Sequence, residues 1–205
     1  MILLLALLLS IAISLARGGR FRWLAQTPLR CGWLAIVAFA LQWSVIYVPL
    51  PRTEGFLGPR TLLLMASYLL VVVVVAMNRR VPGLALIGVG LGLNLSVMLA
   101  NGGFMPVTLE AVERAGLAHL ALGTEPGARL SATKDIILPA EATRLWLLSD
   151  VFVVPPPVPL RTVFSPGDAF LAAGVFVLFQ CAMRPRDEPV PLAEPPGLEG
   201  STLGR

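Results

Sequence analysis

The feature that most constrains the fold is a set of five apolar runs that contain no Asp, Glu, Lys, Arg or His. The runs cover residues 1–16, 32–50, 61–77, 82–100 and 169–183. Only 14% of the chain is charged, whereas about a quarter of a soluble domain usually is. Because apolar helices of this length suit a bilayer, the sequence predicts an all-α integral membrane protein with five transmembrane helices.

Arginines at the ends of the runs set the predicted orientation. Four follow the first run, at positions 17, 20, 22 and 30, and further pairs follow the third and fifth runs, at positions 79, 80, 184 and 186. Positive charge near span ends marks the cytoplasmic side. We therefore predict a multi-pass membrane protein with its N-terminus outside and its C-terminus inside, on the cytoplasmic side. The net charge of +4 does not indicate nucleic-acid binding, since no basic stripe with interleaved aromatic residues is present.

The longest polar segment, residues 101–167, lies between the fourth and fifth runs. It is too long for a simple connection and too rich in apolar residues to be disordered, so it predicts a small outer cap, mostly helical and irregular. Short helices are predicted at 106–115 and 141–148, followed by an extended, polyproline-like return through Pro155–Pro157 and Pro159. Residues 184–205 are rich in Pro, Glu and Gly and predict a disordered cytoplasmic tail.

Small residues in the fourth run recur at four-residue spacing. They are Gly88, Gly92 and Ser96. This spacing favours close packing of helix backbones, so we predict internal helix packing there, with homodimerisation or a substrate path as alternatives. Gly90 and Asn94 form a second close-approach face.

Polar side chains deep in the runs are few and uncharged. Gln42, Asn94 and Gln180 are explained by interhelical hydrogen bonds. Ion-coupled transporters normally place ionisable groups inside their spans. Because the five runs contain none, the sequence argues against a transporter.

A candidate binding site is predicted at the outer face, where turn-forming and polar residues precede or follow spans. Its residues are Asn101, Met105, Pro106, His119, Asp150, Ser165 and Asp168. A purely structural alternative stays open for two of these motifs. Asn101 with the following two glycines can end a helix, and Ser165 with Asp168 forms a capping box.

Catalytic and metal-binding motifs are lacking in the sequence. His119 is the sole histidine, and no HExxH, GxSxG, P-loop or GxGxxG pattern accompanies it. Cys31 and Cys181 are far apart in the sequence, and neither belongs to a Cys-x-x-Cys motif. We therefore predict no catalytic residue, no metal and no cofactor.

Three stretches together resemble a known family. They are Asn-Gly-Gly-Phe-Met-Pro-Val at 101–107, Leu-Ser-Asp at 148–150 running into prolines, and Val-Phe-Ser-Pro-Gly-Asp at 163–168. The chain resembles a bacterial multi-spanning membrane family known as domain of unknown function 5317, over residues 1–183. The start of the chain, with Arg-Gly-Gly-Arg at 17–20, is similar as well. The resemblance implies a multi-pass fold in the bacterial inner membrane, and it implies no chemistry.

The leading function hypothesis is a non-enzymatic membrane scaffold or accessory subunit. Its predicted partners are the lipid bilayer and either another membrane protein or a second copy of the chain. The alternative is an outward-facing site for a lipid or small molecule beneath the cap, which could be enzymatic. A channel or carrier is a third alternative, disfavoured by the uncharged spans.

Overall fold

The computed structural model describes residues 2–47, 58–121, 127–130, 133, 135–157 and 161–184. The chain is mostly helical, as predicted. The helices are α1 (Ile2–Ala16), α2 (Phe21–Ala25), α3 (Trp33–Tyr47), α4 (Pro59–Met77), α5 (Leu84–Ala100), α6 (Leu109–Arg114) and α7 (Pro166–Ala182). Each predicted span corresponds to one long helix. The end of the second run at 48–50, Pro159 and the predicted tail beyond residue 184 lie outside the described residues.

One described helix, α4, is both long and apolar enough to cross a membrane by length and composition. The other long helices are apolar but have 15 to 17 residues, which gives lengths of about 22–26 Å at 1.5 Å per residue. A bilayer core is about 30 Å thick. The structure therefore contains the five predicted long helices, but it does not support five transmembrane helices.

The long helices form a row in the order α1, α7, α5, α4, α3. Serine hydroxyls join the first pair, since Ser10 donates to the carbonyl of Phe176 at 2.9 Å and Ser14 donates to that of Phe179 at 3.5 Å. These contacts advance in the same direction on both helices, so α1 and α7 run parallel. We call the end of the row that carries the C-termini of α1, α4 and α7 the basal end, and the opposite end the cap end.

Glycines let α5 and α7 approach closely in antiparallel orientation. A Cβ atom on Gly174 would lie 2.8 Å from the carbonyl oxygen of Gly83, and one on Gly167 would lie 2.8 Å from that of Gly90. Because Gly90 lies ten residues before the end of α5, α7 begins about 15 Å below that end. The cap occupies the space above α7.

One of the three positions of the predicted packing stripe on α5 contacts another described helix, and the stripe as a whole stays a prediction. Gly88 meets Val75 of α4, but Gly92 and Ser96 are exposed, and a Cβ built on Gly92 would have no atom within 4 Å. The second close-approach face is the one that packs, through Gly90 and Asn94, because it is turned toward α7.

The cap contains four short strands that the sequence analysis did not predict. They are β1 (Met105–Val107), β2 (Asp135–Ile137), β3 (Phe152–Val154) and β4 (Thr162–Phe164). Strands β1 and β2 pair in parallel, and β3 and β4 form an antiparallel hairpin. Pro155–Pro157 directly follow β3, and Pro156 and Pro157 lie in a turn between the paired strands, not in the predicted extended return. The predicted helix at 106–115 begins later, at Leu109, where the Thr108 hydroxyl caps it.

The second predicted cap helix, at 141–148, is absent. Two 3-10 turns, Ala140–Ala142 and Trp146–Leu148, take its place, and Leu145 between them has a φ of +55°. The side chain of Asn101 is hydrogen-bonded to both the backbone N–H and the carbonyl of Arg144. These two groups therefore do not form helical hydrogen bonds.

Two apolar cores meet at β1. Met105 is fully buried in the core of the long helices, together with Leu64 and Met98. Val107 is buried in a separate core within the cap, with Val112 and other residues of α6 and β2. The strand therefore connects the helix row to the cap.

Charged residues enter the helices at their first turns. α4 begins at Pro59 and α7 at Pro166, earlier than the predicted spans, so Arg60 and Asp168 are helical. Both residues lie just outside the predicted spans, which begin at residues 61 and 169 and contain no ionisable group. Proline suits the first position of a helix, because its missing N–H would be unsatisfied there.

Candidate functional site

The cap is anchored to α5 by Asn101, the residue that ends this helix. Its amide nitrogen donates to the carbonyls of Val97 and Arg144, both at 2.8 Å, and its Oδ1 accepts the backbone N–H of Arg144 at 2.9 Å. Both backbone groups of Arg144 are thereby paired as they would be with a neighbouring strand. Asn101 ends the helix as predicted and also binds a segment 43 residues away.

The residues after Asn101 form the centre of the cap. Pro106 lies in β1, and its carbonyl accepts the backbone N–H of Asp150 at 3.2 Å. The next carbonyl, of Val107, accepts from Leu138 at 3.0 Å. Asp150 is 5% exposed and pairs with Val107 in a parallel bridge. Met105, Pro106 and Asp150 are therefore brought together by the backbone, and all three are buried.

Gly103 and Phe104 place this loop over the first turn of α4. Gly103 has a φ of +96° and lies directly against the side chain of Thr61, so a larger residue would be strained and would also collide. The ring of Phe104 lies beneath the guanidinium of Arg129, with 6.0 Å between the guanidinium carbon and the ring centre. Such an arrangement is a cation–π contact.

Arg129 connects the cap to α3 and α4. Its side chain donates to the carbonyl of Thr133, and its Nη1 donates to the carbonyl of Val45 in α3 at 3.4 Å. Burial lowers the pKa of Arg129, the neighbouring Arg60 lowers it further, and Asp135 opposes both. Two guanidinium groups and a carboxylate thus interact where the cap meets the helices.

A second polar group lies deeper, at the start of α7. Asn94, buried in the middle of α5, accepts a hydrogen bond from the Ser165 hydroxyl at 2.9 Å and donates to Asp168 at 2.9 Å. The Ser165 oxygen in turn accepts the backbone N–H of Asp168 at 3.1 Å. The predicted capping box is confirmed for Ser165, and the predicted interhelical hydrogen bond is confirmed for Asn94.

The predicted site residues therefore occupy three places. The first place is where α5 passes into the cap; we call this group the cap anchor, and it contains Asn101, Met105, Pro106 and Asp150. The second is at the level of Asn94, where Ser165 and Asp168 lie. Asn94 is seven residues before Asn101, which is about 10 Å along the helix. His119 is exposed on a 3-10 turn at Ala118–Ala121. The structure therefore does not bring all of these residues together, and the predicted binding site stays a prediction.

Sequence reasoning missed Arg60, Arg129, Asp135 and Arg144 as parts of this region. Each is a charged residue in a loop or at the start of a helix or strand, without a recognised motif around it. Their roles depend on contacts with distant segments, which no local signal in the sequence reveals.

The chemistry available to the region is that of hydrogen bonds and charge pairing. Among the described residues, no three His, Cys, Asp or Glu side chains are grouped as a metal site would require. Two cavities of the structure lie at the basal end. Neither is lined by Asn101, Asp150 or Asp168.

Comparison with known proteins gives one match. Searches of curated proteins and of solved structures find no similar protein. A model for a family of unknown function, DUF5317, matches residues 26–180. The resemblance was predicted to cover residues 1–183. The match begins later, after α1 and the Arg-Gly-Gly-Arg segment at 17–20. Since the matched residues make up most of the chain and contain the whole cap anchor, the protein belongs to the DUF5317 family.

Proposed function

We propose that the protein is a multi-pass membrane protein that acts as a non-enzymatic scaffold or accessory subunit and presents its cap on the outer face. One observation carries the proposal: four polar side chains that could have contributed to a site, Asn94, Asn101, Ser165 and Asp168, are hydrogen-bonded within the chain. Asn101 binds Arg144, and Asn94 binds Ser165 and Asp168. These groups fix the position of the cap on the helices.

The exposed surface of the helices favours a membrane environment. On α3, five large side chains are more than half exposed: Trp33, Ile36, Phe39, Trp43 and Tyr47. Contiguous apolar surface of this extent is unusual on a soluble monomer and is typical of contact with lipid or with another protein. The short helices match a bilayer that thins locally or spans that stand upright.

The scaffold function requires a partner that co-purifies in mild detergent. We expect a defined partner at constant stoichiometry with the natural protein, and reduced recovery with Asn101→Ala, which loosens the cap. Asn78→Ala is the matched control, because it removes an equivalent hydrogen-bond set at the basal end. A protein that remains partner-free after crosslinking in cells would contradict the proposal.

A homo-oligomer is a second arrangement, favoured by the outward face of α5. Gly92 and Ser96 are exposed there, and small residues allow close helix contact between copies. Disulfide crosslinking of Gly92→Cys in membranes tests it, with Ala85→Cys on the same exposed side as a nearby reference. Lack of crosslinked dimer at both positions would rule this face out.

The outward-facing binding site receives less support. Its candidate residues lie in separate places, and Asn101 and Asp168 make internal hydrogen bonds. Retention of a lipid or metabolite that is lost on Asp150→Asn, with the fold unchanged, would restore it as the leading hypothesis.

A further inference from the structure

We propose that a phosphate-bearing anion binds in a cavity at the basal end, between α1 and α7. The cavity has a volume of about 160 Å³ and is lined by Ser14, Arg17, Gly19, Gln180, Met183 and Arg184. A single buried water needs only about 10–15 Å³, so the space is large enough for a polyatomic group.

The charge of the lining selects an anion. Two arginines, Arg17 and Arg184, are among the lining residues, and no acidic residue is. The bias extends over the described basal end, where seven arginines occur: Arg17, Arg20, Arg22, Arg30, Arg79, Arg80 and Arg184. Every acidic residue that the structure describes lies between positions 110 and 168, in the cap or at the start of α7.

One arginine is oriented by a chain of hydrogen bonds across the helix pair. Gln180 of α7 donates to the carbonyl and the hydroxyl of Ser10 in α1, at 2.9 and 3.3 Å. The side-chain oxygen of Gln180 accepts a hydrogen bond from Nη1 of Arg17 at 3.4 Å. A guanidinium carries five N–H donors, and this bond uses one of them. Gln180 is therefore a positioning residue for Arg17.

Helix C-termini disfavour anions, so the carbonyls near the cavity need partners. The carbonyl of Ser14 accepts the backbone N–H of Gly19 at 2.8 Å, and that of Met183 accepts the backbone N–H of Arg20 at 3.3 Å. These bonds supply hydrogen-bond donors to two carbonyls that belong to lining residues, Ser14 and Met183. Gly19 is needed for this turn, because a Cβ there would lie 2.6 Å from the Ser14 carbonyl oxygen.

A phosphate group fits this chemistry, since planar guanidinium groups bind phosphate oxygens through paired hydrogen bonds. It could belong to an anionic lipid headgroup or to a soluble phosphate compound. Only the lipid source rests on the proposed membrane location, in which basic pockets on the cytoplasmic side bind lipid headgroups.

The test uses the purified full chain in uncharged detergent. Native mass spectrometry measures retention of phosphatidylglycerol against phosphatidylcholine, and thermal unfolding measures stabilisation by inorganic phosphate against chloride at equal ionic strength. We expect Arg17→Gln with Arg184→Gln to weaken anion binding roughly tenfold or more. Arg79→Gln with Arg80→Gln is the matched control, since it removes the same charge from exposed basal residues outside the cavity.

Selective retention of phosphatidylglycerol without a response to inorganic phosphate would support the site and assign it to a headgroup. A response to both would support the site and extend it to soluble phosphates. Failure of both probes, or equal losses in the cavity variant and the control, would overturn the proposal. Because both arginines are exposed, we expect the variant to fold, and each single substitution serves as a second variant. The assay contains no partner protein, so its outcome is independent of the scaffold proposal.

Discussion

Asn78 and Asn101 make the same three hydrogen bonds at opposite ends of the helix row. Each directly follows a helix, α4 or α5, and its amide nitrogen donates at 2.8 Å to the carbonyl four residues earlier. The same nitrogen donates at 2.8 Å to the carbonyl of an arginine from a distant segment, Arg30 or Arg144. The Oδ1 atom accepts the backbone N–H of that arginine, at 2.7 and 2.9 Å.

Replacement of either asparagine by alanine should loosen one end only. We expect Asn78→Ala and Asn101→Ala each to lower the free energy of unfolding by about 2–3 kcal/mol, from three hydrogen bonds of roughly 1 kcal/mol each. Hydrogen exchange should rise near Arg30 in the first variant and near Arg144 in the second. Equal loosening of both ends by both variants would contradict this local role.

The Asn94 network should be strongly non-additive. We expect Ser165→Ala to cost about 1 kcal/mol through loss of the helix cap. Asn94→Ala should cost more, because it removes the acceptor of the buried Ser165 O–H and the amide that donates to Asp168. The loss of stability in the double variant should be smaller than the sum of the losses in the two single variants. Additive losses in denaturant unfolding would show that the 2.9 Å bond between these side chains is not energetically significant.

Two glycines of α5 should respond oppositely to alanine. Gly90→Ala should destabilise the protein by at least about 1–3 kcal/mol, because its Cβ would lie 2.8 Å from the backbone nitrogen of Leu171. Gly92→Ala, where the space is open, should be neutral or stabilising by up to about 1 kcal/mol through helix propensity. Thermal unfolding of both variants measures the difference. A large loss in Gly92→Ala would reveal a contact made outside the single chain.

The charges around Arg129 should be coupled. Asp135→Asn should destabilise the cap by about 1–2 kcal/mol, because it leaves the guanidinium groups of Arg129 and Arg60 facing each other with less opposing charge. Addition of Arg60→Gln should restore part of the loss. Protease resistance of the cap and unfolding of the whole chain report the two effects. A double variant less stable than Asp135→Asn alone would contradict the repulsion.

Thiol accessibility tests the predicted orientation. Cys31 lies near the basal end and Glu141 is exposed on the cap. In intact cells, a membrane-impermeant maleimide should label Glu141→Cys, whereas Cys31 should react only after permeabilisation. The reverse pattern would place the cap in the cytoplasm and invert the topology.

The sequence determined the long helices to within a few residues, because each apolar run is followed by arginine, proline or asparagine. It also determined the end of α5 at Asn101 and the cap of α7 at Ser165, since both depend on groups within one helical turn. For these elements local chemistry was sufficient.

Tertiary structure alone decided what these residues bind. Residues 141–148 are apolar enough for a helix, yet Asn101 holds both backbone groups of Arg144. Gly90 and Gly92 look equivalent in sequence, but only Gly90 is turned toward α7. Ser165 meets Asn94 from 71 residues away, which sets the start of α7 well below the end of α5. Contacts across such distances depend on how whole helices are placed, and no pattern within one helical turn encodes that placement.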